Sequence, residues 1–437
     1  MRRHIGFAAV LTIGVALSTT LSVNAAALGG KCAKAGITQV TKGVSYICVK
    51  SGKKTVWKVK TSSANSKAAT STSTTTTTTT FTATTTPPPL YADPEITSMG
   101  KLLSVQECRI SDITSTQSFY FSSGFPRPGS LRSSFGQLKV LVIPVNFTDL
   151  IFSESDAQAV EALYSVVNTF YSSMSYGGAS INMTLAARNS WVDLGSTFAE
   201  NGVMKGSPLW DGSAFYRKVI DMYSSIQPIS GFDVVEVVSA NSTQFARGEA
   251  MSSGATRKNF SGFLTLGYDS PRWGATAHEI GHAWLGFEDL ALYAGGFPFA
   301  HWDLMSQSNT VLSGWSRFLA GWIDSNWVRC ASPHSQSRHY LSALNSDKSE
   351  DRPRLLVVPI STSIALIADY RVADALQFFV LNPTLVVYRV DTSRDGGNGP
   401  IKLVGIIDQK NGTVSTDGVI ISVIGIDKSG VTIEVKN

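Results

Sequence analysis

The first 90 residues contain no aspartate or glutamate. Eleven of the 37 lysines and arginines lie there, so the remainder sets 26 basic residues against all 32 acids, a net of −6. That balance argues against a main body that binds nucleic acid, and leaves any polyanionic partner to the N-terminal piece. Charged residues are scarce at 16%, but 43% of the chain is hydrophobic, enough to bury a core and to exclude wholesale disorder. Beyond the first segment no stretch approaches the roughly 20 apolar residues of a membrane helix, so the mature chain is expected to have none. There are four cysteines and no CxxC, which leaves a cysteine-based metal cluster without a motif. Histidine is rarer still for the length, with only 278, 282, 301, 334 and 339 lying beyond the first segment.

What is present begins with an export signal. Met1-Arg2-Arg3, an apolar run from Ile5 to Leu17, and the small residues Val23-Asn24-Ala25-Ala26-Ala27 follow the order of a signal peptide over 1–27. A membrane anchor is the competing reading, but the run is short and no charged stop follows it. The chain is therefore expected to be secreted, extracellular or associated with a cell wall. In that compartment an even cysteine count reads as disulfides, and spacing favours Cys32–Cys48 and Cys108–Cys330.

At 437 residues, about three domains are expected. Residues 28–60 carry eight lysines, and Val44 to Val49 alternates at strand period, which predicts a small basic β module stapled by its disulfide. Its lysines suit an acidic cell-wall polymer, although a solvated face on a spacer module has the same composition. Residues 61–89 are a Ser/Thr tract ending in Pro87-Pro88-Pro89, an extended linker. Residues 90–135 are a candidate pro-segment, in which Cys108, Asp112 and Asp93 are the side chains that could sit on a metal. Residues 136–332 read as an α/β (α+β) catalytic domain, with a buried strand at Leu138–Val145 and a helix over Asp156–Met174. Residues 333–437 turn almost wholly β, as a sheet continuing from or packed on that domain.

The chemistry is concentrated in His278-Glu279-Ile280-Gly281-His282. On a helix, residues i and i+4 share a face, so His278 and His282 can grip one zinc ion, leaving room for a third ligand and a water. Glu279 then faces a water whose pKa zinc lowers towards ~7; it takes that proton and passes it to the leaving amine. Thr276-Ala277-His278-Glu279 also fits a helix capping box, a structural use of the same glutamate.

The surrounding blocks resemble the immune inhibitor A family of secreted bacterial zinc metallopeptidases. They are HExxH, Leu285-Gly286-Phe287-Glu288-Asp289, Trp302-Asp303-Leu304-Met305-Ser306 and Gly321-Trp322. Val140 to Asp149 and Val387 to Asp391 resemble an early and a late strand of that family, so the likeness spans roughly 135–395. The resemblance implies a zincin-like fold, one Zn2+ per chain, a protein or peptide substrate, and the acid after Leu-Gly-x-x, Asp289, as third ligand. The family's usual spacing from the second histidine is one residue shorter and counts to Glu288, so both acids stand as candidates, with His301 a third. The resemblance further implies Met305 as a floor beneath the metal and Tyr293 as an oxyanion stabiliser. Gly286 suits a tight bend after the helix. Calcium at Asp391, Asp395 and Asn398 is a further candidate cofactor site. The function implied is a secreted zinc endopeptidase; the alternative is an inactive zincin-like protein that binds or adheres at the cell surface.

Overall fold

The computed structural model describes residues 34–35, 37–41, 44–51 and 54–59 of one unit, Met1–Thr86. Of the second, Pro87–Asn437, it describes 102–114, 121–128, 132–203, 207–240, 247–251, 261–266, 273–292, 295–307, 310–374, 376–377 and 379–437. Residues 1–27, expected to be a signal peptide, lie outside the described residues, as do Cys32, the Ser/Thr/Pro tract, Asp93 and Tyr293. In the first unit β1 (Thr38–Thr41), β2 (Val44–Ser51) and β3 (Lys54–Val59) form an antiparallel sheet in that order, with Cys48 opposite Trp57. Cys48 is buried; the expected Cys32–Cys48 pairing involves Cys32, outside the described residues.

The second unit is mixed α/β, with many strands and few helices. Its chain order begins β4 (Gly136–Asn146), α1 (Glu154–Met174), β5 (Ala179–Leu185), β6 (Val192–Asp193), α2 (Gly212–Ser224). It continues through β7 (Val234–Ser239), β8 (Arg247–Met251), β9 (Ser261–Leu266) and α3 (Trp273–Ile280). The sheet order is β5-β4-β7-β9-β8, with β6 also on β4; all pairs are parallel except β8, an antiparallel edge strand on β9. β4 reads as a nearly unbroken apolar run because both its faces are covered. Leu138, Val140 and Val142 pack with α1 and α3, while Leu141, Ile143 and Val145 pack with α2. Ser153 starts α1 with a capping box to Asp156, so the helix begins two residues before the apolar spacing suggests.

After α4 (Gly314–Leu319) the chain is β: β10 (Val328–Cys330), β11 (Ser337–Ser342), β12 (Leu355–Pro359), β13 (Ile364–Arg371) and β14 (Thr384–Asp391). It ends with β15 (Ile401–Ile407), β16 (Thr413–Thr416), β17 (Val419–Ile426) and β18 (Gly430–Lys436). A five-stranded sheet, β10-β12-β13-β14-β15, faces a four-stranded one, β11-β18-β17-β16. Leu356, Val358, Leu366 and Val387 meet Ile421, Val423 and Ile433 between the two. The alternate residues Leu355, Val357, Ile367 and Tyr388 join the core that holds α1, α3 and α4. The β region is thus packed on the α/β layer through a shared core, rather than continuing its sheet. Cys108 pairs with Cys330 at a Cα–Cα distance of 5.8 Å across 222 residues.

β11 carries a buried titratable group. His339 is 1% exposed, its Nε2 lies 2.8 Å from Ser337 Oγ, and its Nδ1 has no hydrogen-bond partner. Burial foremost, with the charge of Arg329, holds its pKa down at about 4 against 6.5. The folded pKa lies below the unfolded one, so this contribution to stability is complete above 6.5 and is lost as pH falls towards 4. Urea unfolding should lose about 2–3 kcal/mol between pH 7 and 4.5 through this residue. His339→Gln should flatten that part of the acid slope, and an identical slope in both proteins would refute the assignment.

Candidate metal centre

The site is built on the end of α3. His278 lies in α3, and the helix continues through Gly281–Leu285 as a π-helical turn that contains His282. Gly286, at φ +66°, then reverses the chain, its N–H donating to His282 O at 3.0 Å while Phe287 N donates to Gly281 O at 3.2 Å. A residue with a Cβ resists that left-handed conformation, which is why glycine stands there. The bend brings two groups back to His282: the carbonyl of Phe287, and two residues later the carboxylate of Asp289.

The two imidazoles lie edge to face, with their Nε2 atoms 3.1 Å apart. His278 Nδ1 lies 3.0 Å from Leu304 O, and His282 Nδ1 lies 2.6 Å from Phe287 O. A carbonyl oxygen only accepts, so each Nδ1 carries a proton, and each Nε2 faces inward, where without a proton it can give its lone pair to a metal. Asp289 Oδ1 stands 3.1 Å from one Nε2 and 3.4 Å from the other. A tetrahedral shell with bonds of ~2.0–2.1 Å places ligand atoms about 3.3 Å apart. The three donors of His278, His282 and Asp289, all within 4.8 Å of one another, therefore stand at the edge lengths of such a shell.

Asp289 and Glu279 bring negative charge to that point. Burial alone would lower the His278 ring, but the hydrogen bond and charge of Asp289, with the charge of Glu279, outweigh it and raise it to about 9. Burial would likewise raise Asp289, yet hydrogen bonds to both histidines hold it far below the ordinary carboxylate range. One proton supplies a single charge between these groups; a divalent ion supplies two, with the observed spacing. The donor set, two imidazoles and a carboxylate, fits zinc.

The structure separates the candidate third ligands. Glu288 is directed away, against Gly396, where an added Cβ would stand 2.2 Å from its Oε2. Burial, together with the charges of Asp112, Asp395 and Asp289, pushes its pKa up to about 7 although His282 opposes this. His301 is exposed beside Phe379, with ring centroids 5.8 Å apart, and is not in the triad. The π turn over Gly281–Leu285 fits one extra residue into a helical repeat before the bend at Gly286. Asp289 thereby takes the place that counting alone assigns to Glu288.

Glu279 lies in α3 beside His278 and is 7% exposed. Met305 is buried below the helix, its Sδ 2.8 Å from where a Cβ on Gly281 would stand, so the glycine inside HExxH admits the sulfur. The loop carrying Met305 is held by Asp303, which accepts from Met305 N, Ser313 N and Ser316 Oγ at 2.6–2.8 Å. That loop fixes Leu304 O, and through it His278. Among the pro-segment candidates, Cys108 is in a disulfide, and Asp112 accepts from Thr114, Ser122 and Ser123. At the candidate calcium turn, Asp391 is engaged by Arg389 and Arg394, which with Ser393 hold its pKa near about 2 against its burial, so its carboxylate is already charge-compensated. Calcium at Asp391 is accordingly not favoured.

Two features of the site escape a reading of motifs. The carbonyls of Leu304 and Phe287 have no side-chain signature. Glu236 does leave one, as a lone acid in Val234-Val235-Glu236-Val237-Val238. It is 2% exposed, accepts from Tyr164 Oη at 2.7 Å and from Thr265 Oγ1, and burial above all pushes it up to about 7.

No family model matches this chain, and no curated protein does. Among solved structures, the crystal structure of metalloproteinase-II from Bacteroides fragilis is similar to 46% of this chain at 17% identity, with a TM-score of 0.27. The match spans 54% of that protein, about half its length. The chemistry of the site is carried by the residues themselves.

Proposed function

We propose that this chain is an exported, zinc-dependent endopeptidase that hydrolyses peptide bonds of extracellular proteins. The observation that carries the reading is the convergence of two Nε2 atoms and one Asp289 oxygen at tetrahedral spacing, with both Nδ1 atoms committed to backbone carbonyls. Zinc held there would supply a Lewis acid that polarises the scissile carbonyl and acidifies a water. Glu279, adjacent in sequence to His278 and held in a buried helix, would accept the proton of the attacking water and deliver it to the leaving amine. The likeness of the motif blocks to immune inhibitor A peptidases supports the same assignment. An extended substrate would lie along β8, which among the described residues is an edge strand paired with β9 and lying against α3. The retained Glu279 supports an enzyme over an inactive surface binder.

Export is read from the leader sequence, and the exposed Lys34, Lys50 and Lys54 of the basic module would suit an acidic wall polymer. Among the described residues no helix is long and apolar enough to cross a membrane.

Metal analysis of the purified chain should return about one zinc per molecule. Asp289→Ala should lose it, whereas Glu288→Gln should keep it. A folded, disulfide-intact wild type that takes up no zinc when supplied with it would end the peptidase reading.

A further inference from the structure

The described parts of residues 102–128 precede β4 and give no ligand to the triad, yet they touch the bend that supports it. Ser122 N donates to Gly286 O at 2.8 Å, and Ser122 is bridge-paired with Phe287, whose carbonyl holds His282 Nδ1. One residue earlier, the Phe121 ring stands edge-on to the His282 imidazole with centroids 5.3 Å apart.

This strap is locked on its other side. Asp112, 9% exposed, accepts from Ser122 Oγ at 2.6 Å and Ser123 N at 3.0 Å on one oxygen, and from Thr114 N and Oγ1 on the other. Ser123 O accepts from Trp315 Nε1 at 2.8 Å. Ser111 is tied to the C-terminal sheets, its carbonyl accepting from Thr392 Oγ1 and its N–H donating to Thr362 O. Gly124 fits only without a side chain, since a Cβ would stand 2.8 Å from Asp112 N. Cys108 and Ile110 belong to the main core, and the Cys108–Cys330 disulfide makes the attachment covalent. A segment that departs on activation has to separate without opening the core; this one would take buried hydrogen bonds and core side chains with it.

We propose that this strap stays with the enzyme as an outer tier of the metal site, in which Asp112 and Phe121 are positioning residues for His282. Asp112 locks Ser122, Ser122 holds the Gly286–Phe287 bend, and the Phe121 ring walls the imidazole. The inference rests on the metal-site reading above.

The test uses the full chain with Phe121→Ala, Asp112→Asn and Phe121→Tyr. Zinc release into an excess of chromogenic chelator is timed, and amide exchange at His282 and Phe287 is measured without metal. Outer-tier partners of a metal ligand change affinity by about 10–100-fold. Zinc release should quicken by that factor in Phe121→Ala and Asp112→Asn at unchanged near-ultraviolet circular dichroism, and Phe121→Tyr, which keeps the ring, should restore it. Exchange at the two amides should quicken in Asp112→Asn. Release and exchange within twofold of wild type in both variants would overturn the proposal, as would a rise in turnover, the mark of a weakened inhibitor. A wild type without zinc refutes the peptidase reading, and with it the role of Asp112 and Phe121 in positioning a metal ligand; the exchange data then decide whether the strap holds the bend. Should Asp112→Asn not fold, Phe121→Ala at its half-buried position carries the zinc test alone.

Discussion

Glu279→Gln should lower peptide hydrolysis by about 10²–10⁴-fold, the usual worth of a positioned general base, while about one zinc per chain is retained. The substitution keeps the size and planarity of the side chain, so the buried position need not repack, but an amide cannot take the proton of the attacking water. His278, His282 and Asp289 keep their contacts with Leu304 O, Phe287 O and one another, which the substitution does not remove. The loss should therefore fall on kcat, with KM little changed, as for a group that acts mainly in the transition state. Turnover of a fluorogenic peptide mixture, set beside metal content, checks both halves. Turnover within tenfold of wild type at full zinc occupancy would assign the proton transfer to another group. Loss of zinc together with activity would make Glu279 a structural member of the site.

Asp369→Ala should destabilise the second unit by about 3–5 kcal/mol, because it leaves a buried guanidinium without its counter-charge. Asp369 and Arg371 are both fully buried, and the carboxylate takes both Nε and Nη2 of the arginine. The same carboxylate accepts from Tyr388 Oη and from Gly314 N, each at 2.8 Å. Gly314 opens α4, and a Cβ there would lie 2.8 Å from Asp369 Oδ2. Arg371 in turn reaches Trp302 O, the residue before Asp303 in the loop that orients His278. The pair thus joins the five-stranded sheet to the metal centre, and zinc affinity should fall along with stability. Replacing both members together, Asp369→Leu with Arg371→Met, should recover part of the stability, since the unpaired charge is gone while Tyr388 Oη and Gly314 N still lose their acceptor. Denaturant unfolding of the single and double variants measures the coupling; a loss below about 1 kcal/mol in Asp369→Ala would mean that water or rearrangement relieves the arginine.

How far the sequence could be read varies with the range of the forces involved. The late strands were legible because β12, β13 and β14 are nearly continuous apolar runs, as strands buried on both faces are, while β17 alternates and buries one face. β11 was not, since Ser337-Arg338-His339-Tyr340-Leu341-Ser342 owes its burial to partners rather than to its own composition. His278 and His282 were legible as a helical pair from spacing alone. The third ligand was not, because two adjacent acids differ only in where the backbone points them. A π turn depends on which carbonyl each N–H selects, and that choice is made in competition with the Met305 loop and the Ser122 strap around it. Residues 102–128 carry too little periodicity to be placed from sequence, and long-range bonds build their described parts into the core.

By itself, then, the sequence determined the helical pair of histidines with its glutamate, the mixed α/β body followed by a β-rich region, and the charge split between the N-terminal piece and the rest. All of these follow from local spacing and composition. Only the tertiary structure decided that Asp289 rather than Glu288 faces the histidines, that backbone carbonyls set their protonation, and that the late sheets share a core with the site. Those outcomes depend on contacts between residues far apart in the chain, where packing and hydrogen-bond satisfaction, not spacing, select the geometry.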